Sequence, residues 1–199
     1  MRRIVTFDRV TADGYFATED GKLDWAVPDE ELDKAAMRGE QAFDAILFGR
    51  RTYEMFEKFW PHALDESGTA SDPHRPGRRS PEMRAMAVFL NETPKVVFSK
   101  KLKKVTWSNS RLVHDLDPRE IEAMKKQPGK DMIMFGSGSI ASQLTQHGLI
   151  DEYQLVVSPV LLGSGRPLLS GVSRSTKVSL LEAKTYPSGN VKLRYGRAS

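Results

Sequence analysis

The chain has 199 residues, no cysteine, and 30 basic against 26 acidic side chains, for a formal net charge of +4 at pH 7. That length suits a single domain, residues 1–199, with a core deep enough to carry a ligand site. The missing cysteines exclude disulfides, thiolate metal sites and cysteine nucleophiles, and His62, His74, His114 and His147 show no metal-ligand spacing, so no metal is expected.

"RRIVTFD" predicts a first strand, and residues 9–24, "RVTADGYFATEDGKLD", predict a loop punctuated by Asp13-Gly14 and Asp20-Gly21. Pro28 followed by Asp29, Glu30, Glu31 and Asp33 predicts a helix start whose acids match the positive end of the dipole, with the helix running to about Gln41. "DAILF" predicts a strand broken at Gly49, and "RRTYEMFEKFW" a helix with Tyr53, Phe56 and Trp60 on its core face. Residues 61–80 are poor in apolar side chains and predict an exposed, variable loop. Next come a helix, "PEMRAMAVFLNE", strands "KVVFS" and "SRLVHD", a helix "PREIEAMKK", the strand "DMIMF", and a helix after Gly136. From Asp151 the pattern becomes three extended runs, the last two joined through Pro187-Ser188-Gly189 as a hairpin. Alternating strands and helices followed by a hairpin predict an α/β fold: a mostly parallel central sheet covered on both faces, with antiparallel strands at its C-terminal edge.

Ligands of such sheets bind outside the carboxyl ends of the strands. Three exits there present phosphate-binding groups: Gly49, Arg50, Arg51 and Thr52; Ser99 and Lys100; and Gly136, Ser137, Gly138, Ser139 and Ile140. Each alone is ordinary turn chemistry. All three on one edge predict a ligand with more than one phosphate. The third also matches G-x-G-x-x-A, but no acid follows at the end of a second strand, and Asp151 and Glu152 come too early, which excludes a Rossmann site. Lys100, Lys101, Lys103 and Lys104 carry no interleaved aromatics, which favours a small anion over nucleic acid. No segment has the length and apolar character of a membrane span, and the N-terminus lacks a signal-peptide core, so a cytoplasmic location is expected.

The three exits, in this order, resemble the NADPH-binding elements of the dihydrofolate reductase fold. "TADGYFATEDGKLDWAV" and "GLIDEYQLVVSPVLLGSGRPL" further resemble the reductase domain of riboflavin biosynthesis, the RibD C-terminal domain, and its stand-alone relatives. The matching positions are Thr11, Asp13, Gly14, Ala17, Gly21 and Trp25, then Asp151, Glu152, Pro159, Leu162 and Gly163. The resemblance implies a three-layer dihydrofolate-reductase-like domain, a homodimer built on the C-terminal strands, and NADPH as cofactor. It places phosphates on Gly49 to Thr52, the adenosine 2′-phosphate on an arginine with Ser99 or Lys100, and pyrophosphate on Gly136 to Ile140. Replacing Gly138 with a bulky residue is then expected to abolish cofactor binding and spare the fold.

The loop from Thr11 to Asp24 would cover the nicotinamide, with Asp13, Gly14 and Trp25 at the substrate pocket and Asp13 as a catalytic candidate. Two departures stand out: "EMFEKFWPHA" replaces the D-D-P-x-L-T-x-R of riboflavin reductases, and Phe135 replaces the acid before the glycine turn. The implied activity is hydride transfer from NADPH to a small heterocycle. The nearest named reaction is reduction of 5-amino-6-(5-phosphoribosylamino)uracil, and the alternatives are dihydrofolate reduction and a non-catalytic nucleotide-binding role. Asp29 to Asp33 and Asp151-Glu152 are expected to serve structure, and no residue is singled out as proton donor.

Overall fold

The computed structural model describes residues 1–39, 42–65 and 81–198. Its elements are β1 (Ile4–Thr11), β2 (Tyr15–Ala17), α1 (Glu30–Gly39), β3 (Phe43–Gly49), α2 (Arg50–Glu57), a 3-10 turn (Trp60–His62), α3 (Pro81–Glu92), β4 (Lys95–Phe98), β5 (Ser110–Val113), α4 (Pro118–Lys126), β6 (Asp131–Phe135), α5 (Gly138–Gln146), β7 (Glu152–Ser158), β8 (Arg166–Pro167), β9 (Val178–Thr185) and β10 (Val191–Arg197).

Eight strands form one sheet in the order β5-β4-β3-β6-β1-β7-β10-β9. Neighbours from β5 to β7 pair parallel, and β10 runs antiparallel to both β7 and β9. This is the expected mostly parallel sheet with an antiparallel edge hairpin. The strands are apolar on both sides because both faces are covered. Ala45, Leu47, Val96, Phe98, Met132 and Met134 pack against Ile121 of α4 and Ile140 and Leu144 of α5. Ile46, Phe48, Val97 and Ile133 face the other way, onto Tyr53 of α2 and Leu90 of α3.

The predicted bounds of α3, α4 and β6 coincide with those observed. Elsewhere the structure differs. β1 continues to Thr11, and the predicted loop 9–24 contains β2, which pairs antiparallel with β8 some 150 residues away in sequence, Tyr15 opposite Pro167. α2 stops at Glu57, and the chain tightens into the 3-10 turn, where Pro61 suits a first helical position. Of the predicted loop 61–80, residues 66–80 lie outside the described residues, as does the predicted helix end at Gln41.

At the amino ends of the parallel strands, charges are paired. Arg2 meets Asp44, Arg3 meets Asp131 at 2.7 Å, Lys125 meets Asp151 at 2.6 Å and Arg194 meets Glu152 at 2.7 Å. The Asp151 carboxylate also accepts the Ile4 amide at 2.8 Å. Asp151 and Glu152 thus tie α4, β1 and β10 together, at the opposite end of the sheet from the three strand exits.

Candidate functional site

The carboxyl ends of β1, β3, β4, β5 and β6 open into one cleft of about 840 Å³, within the usual range of small-molecule sites. All three strand exits reach it: Gly49 to Thr52, Ser99 with Lys100, and Gly136 to Ile140 line its wall. Parallel pairing causes this convergence, because β3 is hydrogen-bonded to both β4 and β6 and all three end at the same edge.

Ser137 knits two of the exits together. Its backbone is left-handed, with φ of +69°, and its hydroxyl accepts the Gly49 amide at 2.7 Å and donates to Thr52 Oγ1 at 3.0 Å. That hydroxyl is spent on the turn itself. What remains for a ligand is the start of α5, which no side chain caps, and the start of α2, also without a side-chain cap. By contrast, Asp29 caps α1 by accepting the Leu32 amide at 2.9 Å, and Asp117 caps α4 by accepting the Arg119 amide at 2.8 Å. Two open helix starts facing one cleft concentrate amide donors and positive dipole ends where an anion can dock.

The glycines keep the backbones close. Gly136 has φ of +54°, and a Cβ on Gly49 would lie 3.0 Å from both Ile140 and Ser137. A Cβ on Gly138 would sit 2.7 Å from the Leu168 carbonyl oxygen, so the expectation that Gly138 tolerates bulk without harm to the fold is corrected: the β8 segment packs directly on it. Arg50 pairs with Glu54 at 2.8 Å, Lys100 with Asp115 at 2.9 Å, and Arg51 is exposed. Ser99 accepts the amides of Lys101 and Leu102, shaping its own turn. Sequence reasoning passed over His114, at the end of β5, whose Nδ1 lies 3.1 Å from the Ser99 carbonyl, and Lys101; both line the cleft.

Asp13, Gly14 and Trp25 are not among the residues lining the cleft. Asp13 accepts the amides of Leu162 and Gly163 at 3.0 and 2.7 Å and the Thr11 hydroxyl, and these bonds hold its carboxyl below the usual range. It clamps the β1–β2 turn to the loop after β7. Gly14 takes φ of +88° to make that turn, and Trp25 is a buried packing residue. The loop still reaches the cleft, through Phe16, Ala17, Gly21 and Leu23.

Three carboxyl-bearing residues line the cleft, Asp8, Asp33 and Glu82, and the buried one is Asp8, 2 % exposed, with no hydrogen-bond partner on either oxygen among the described residues. Burial pushes it up to about 8, and the nearby Thr6 hydroxyl and Gly136 amide oppose this only in part, without reaching hydrogen-bonding geometry. An apolar part of the wall is formed by Phe7, Phe56, Phe135, Trp60, Met83 and Met86. Phe135 lies 6.2 Å from Phe7 and 5.7 Å from Phe56, ring centre to ring centre. On this side Arg9 pairs with Asp33 at 3.5 Å. Among the described residues, no group of three histidine, cysteine or acidic side chains could hold a metal, and no helix is long and apolar enough to cross a membrane.

Residues 3–192 match the family model of the RibD C-terminal domain. The chain belongs to that family. A Bacillus subtilis (strain 168) protein, YyaP, is 26 % identical over 195 residues, covering 98 % of this chain and 95 % of its own. Among solved structures, a Shewanella sp. PV-4 protein provisionally assigned to riboflavin biosynthesis superposes with a TM-score of 0.71 at 22 % identity, over the whole of both chains. Enterococcus faecalis dihydrofolate reductase in complex with NADP(H) gives a TM-score of 0.58 at 13 % identity, covering 99 % of this chain and 97 % of that one. The fold is dihydrofolate-reductase-like.

Proposed function

We propose that this RibD C-terminal domain protein is an NADPH-dependent reductase that delivers hydride to a small, planar heterocycle. The observation that carries the reading is the convergence of three phosphate-type strand exits, two with uncapped helix starts, on one cleft with an aromatic far side. Gly136 to Ile140 would hold pyrophosphate through the amides that open α5, and Gly49 to Thr52 a phosphate at the start of α2. Arg51 or Arg50, with Ser99 and Lys100, would face the adenosine 2′-phosphate, a pairing that favours NADPH over NADH.

When bound, the cofactor supplies the hydride. The protein's part is to align the two rings and exclude water, with the loop from Thr11 to Asp24 as the cover. Phe7, Phe56, Phe135 and Trp60 form the surface on which a flat acceptor would lie. Reduction of 5-amino-6-(5-phosphoribosylamino)uracil is the nearest named reaction. The Arg9 guanidinium is the cation on the aromatic side nearest in kind to what a ribose phosphate needs, and it is shared with Asp33. Exposed Leu180 and Leu181 on the edge strand β9 support a homodimer through the C-terminal strands, expected as a dimer mass in size-exclusion chromatography with light scattering.

Thermal shift with NADPH and NADH, followed by NADPH oxidation against 5-amino-6-(5-phosphoribosylamino)uracil, dihydrofolate and a panel of unphosphorylated heterocycles, tests the assignment. Greater stabilisation by NADPH and turnover of a panel member are expected. Equal stabilisation by the two cofactors removes the 2′-phosphate site, and binding without any turnover favours a nucleotide-binding role.

A further inference from the structure

Asp8 is the buried ionisable group that the cofactor assignment leaves unused. It stands on β1 one residue beyond the Phe7–Phe135 pair, beside Gly136, where β6 gives way to the glycine-serine turn. Strand alternation puts it on the face of Ile4 and Thr6, the side covered by α5. Asp8 lines the cleft, and its two carboxyl oxygens are buried just behind the wall with no partner among the described residues.

At neutral pH burial keeps this group protonated. No charged side chain contributes to that state; the other influences are the Thr6 hydroxyl on its own strand and the Gly136 amide. Its register partner on β7 is Leu155, and α5 contains no ionisable side chain. Arg9, next along β1, alternates to the opposite face and pairs with Asp33, while Arg166 on β8 donates to the Glu19 carbonyl.

A protonated carboxyl is planar and offers one O–H donor beside one carbonyl acceptor. The ligand group that satisfies both at once is an amide edge, a C=O next to an N–H. An ionised carboxylate could only accept, and would repel a pyrophosphate held by the adjoining turn. We infer that Asp8 is the recognition residue for an amide edge of the bound ligand, engaging it as a neutral acid through paired hydrogen bonds. Two ligands of the proposed reductase carry such an edge: the carboxamide of nicotinamide, and the lactam of a pyrimidinone-like acceptor. The inference rests on the reductase reading, and no proton or bond is transferred in it.

The test uses the wild type, Asp8→Asn, which keeps a planar donor and acceptor, and Asp8→Leu, which removes both. Calorimetry measures NADP+, its 3-acetylpyridine analogue, which lacks the amide N–H, and 6-aminouracil, across pH about 6 to about 9. Infrared spectroscopy reads the protonated carboxyl band at neutral pH, expected in the wild type and absent from Asp8→Asn. If the cofactor carboxamide is the partner, Asp8→Leu weakens NADP+ by about tenfold or more. Asp8→Asn then stays close to wild type, the wild-type affinity declines above pH about 8 while that of Asp8→Asn does not, and the analogue binds weakly.

If the acceptor lactam is the partner, 6-aminouracil shows that pattern and NADP+ does not. Unchanged affinity for both ligands in a folded Asp8→Leu overturns the inference. So does an ionised Asp8 at neutral pH, or an Asp8→Asn protein that binds normally but has lost turnover, the mark of a proton donor. Failure of the wild type to bind NADP+ or NADPH removes the reductase reading instead, and the infrared band with the 6-aminouracil titration still decides Asp8.

Discussion

The β1–β7 strand pair holds two buried carboxyl groups of opposite fate. At the amino end, Glu152 is 1 % exposed and is held below the usual carboxylate range by Arg194, Gln154 and Arg3, although burial alone would raise it. At the middle of the pair, opposite Leu155, Asp8 is as deeply buried, has no partner among the described residues, and is pushed the other way. Helix starts differ as well: α1 and α4 are closed by Asp29 and Asp117 although Leu32 and Leu116 beside those caps also line the cleft, whereas α2 and α5 have no side-chain cap. Glu152 is satisfied within the protein, whereas Asp8 and the starts of α2 and α5 leave polar groups that a ligand can complete.

Removing the unpartnered carboxyl has the largest expected effect. The folded state keeps a proton on Asp8 up to pH about 8, whereas the unfolded chain releases it near 3.8, the ordinary value for an aspartate. Stability therefore falls with rising pH across that window, by about 1.4 kcal/mol per pH unit from this group. Asp8→Asn abolishes that slope in denaturant melts at pH about 5 and about 8; an unchanged slope would mean that Asp8 is already ionised.

Breaking the saturated end comes next. Glu152→Ala strips Arg194 of its main partner and costs about 2 kcal/mol, less than a fully enclosed pair because the Arg194 side chain is 34 % exposed. Nucleotide affinity, measured in the same preparation, stays at the wild-type value.

Closing an open helix start sharpens the contrast. Ser139→Asp places a carboxylate in the first turn of α5, where it stabilises the free protein by about 0.3–1 kcal/mol yet weakens NADP+ by about tenfold through like-charge repulsion. Opening a closed start is the converse: Asp117→Ala lowers stability by about 1 kcal/mol and leaves NADP+ binding unchanged. Equal effects of Ser139→Asp and Asp117→Ala on NADP+ affinity would erase the distinction between the two kinds of helix start.

Much of the framework is legible in the amino-acid sequence because its signals are local. Pro118 and the lysines at 125 and 126 bracket α4, and "DMIMF" followed by Gly136 ends a strand unambiguously. The three strand exits were legible too, since glycine, serine and arginine after an apolar run mark both a turn and an anion-binding edge. What escaped depended on distant pairing. Two-residue β8 has no pattern of its own and exists because Arg166 and Pro167 meet β2 across the fold.

That same packing makes Gly138 a close-contact residue, which no local signal reveals. Asp13-Gly14 is legible as a turn, whereas the amides of Leu162 and Gly163 that donate to the Asp13 carboxylate come from chain about 150 residues away. Asp8 was hidden for the opposite reason. An acid closing an apolar run reads as the solvent-facing end of a strand, and only the continuation of β1 to Thr11 shows that it lies inside.

Amide hydrogen exchange with and without NADPH tests the central claim most directly, because it reports which backbone the cofactor covers. Protection at residues 49–52, 99–100 and 136–140 and in the covering loop 11–24, smaller with NADH, is the predicted result. Absence of protection at 136–140, or protection centred on the paired end around Asp151 and Glu152, would contradict it.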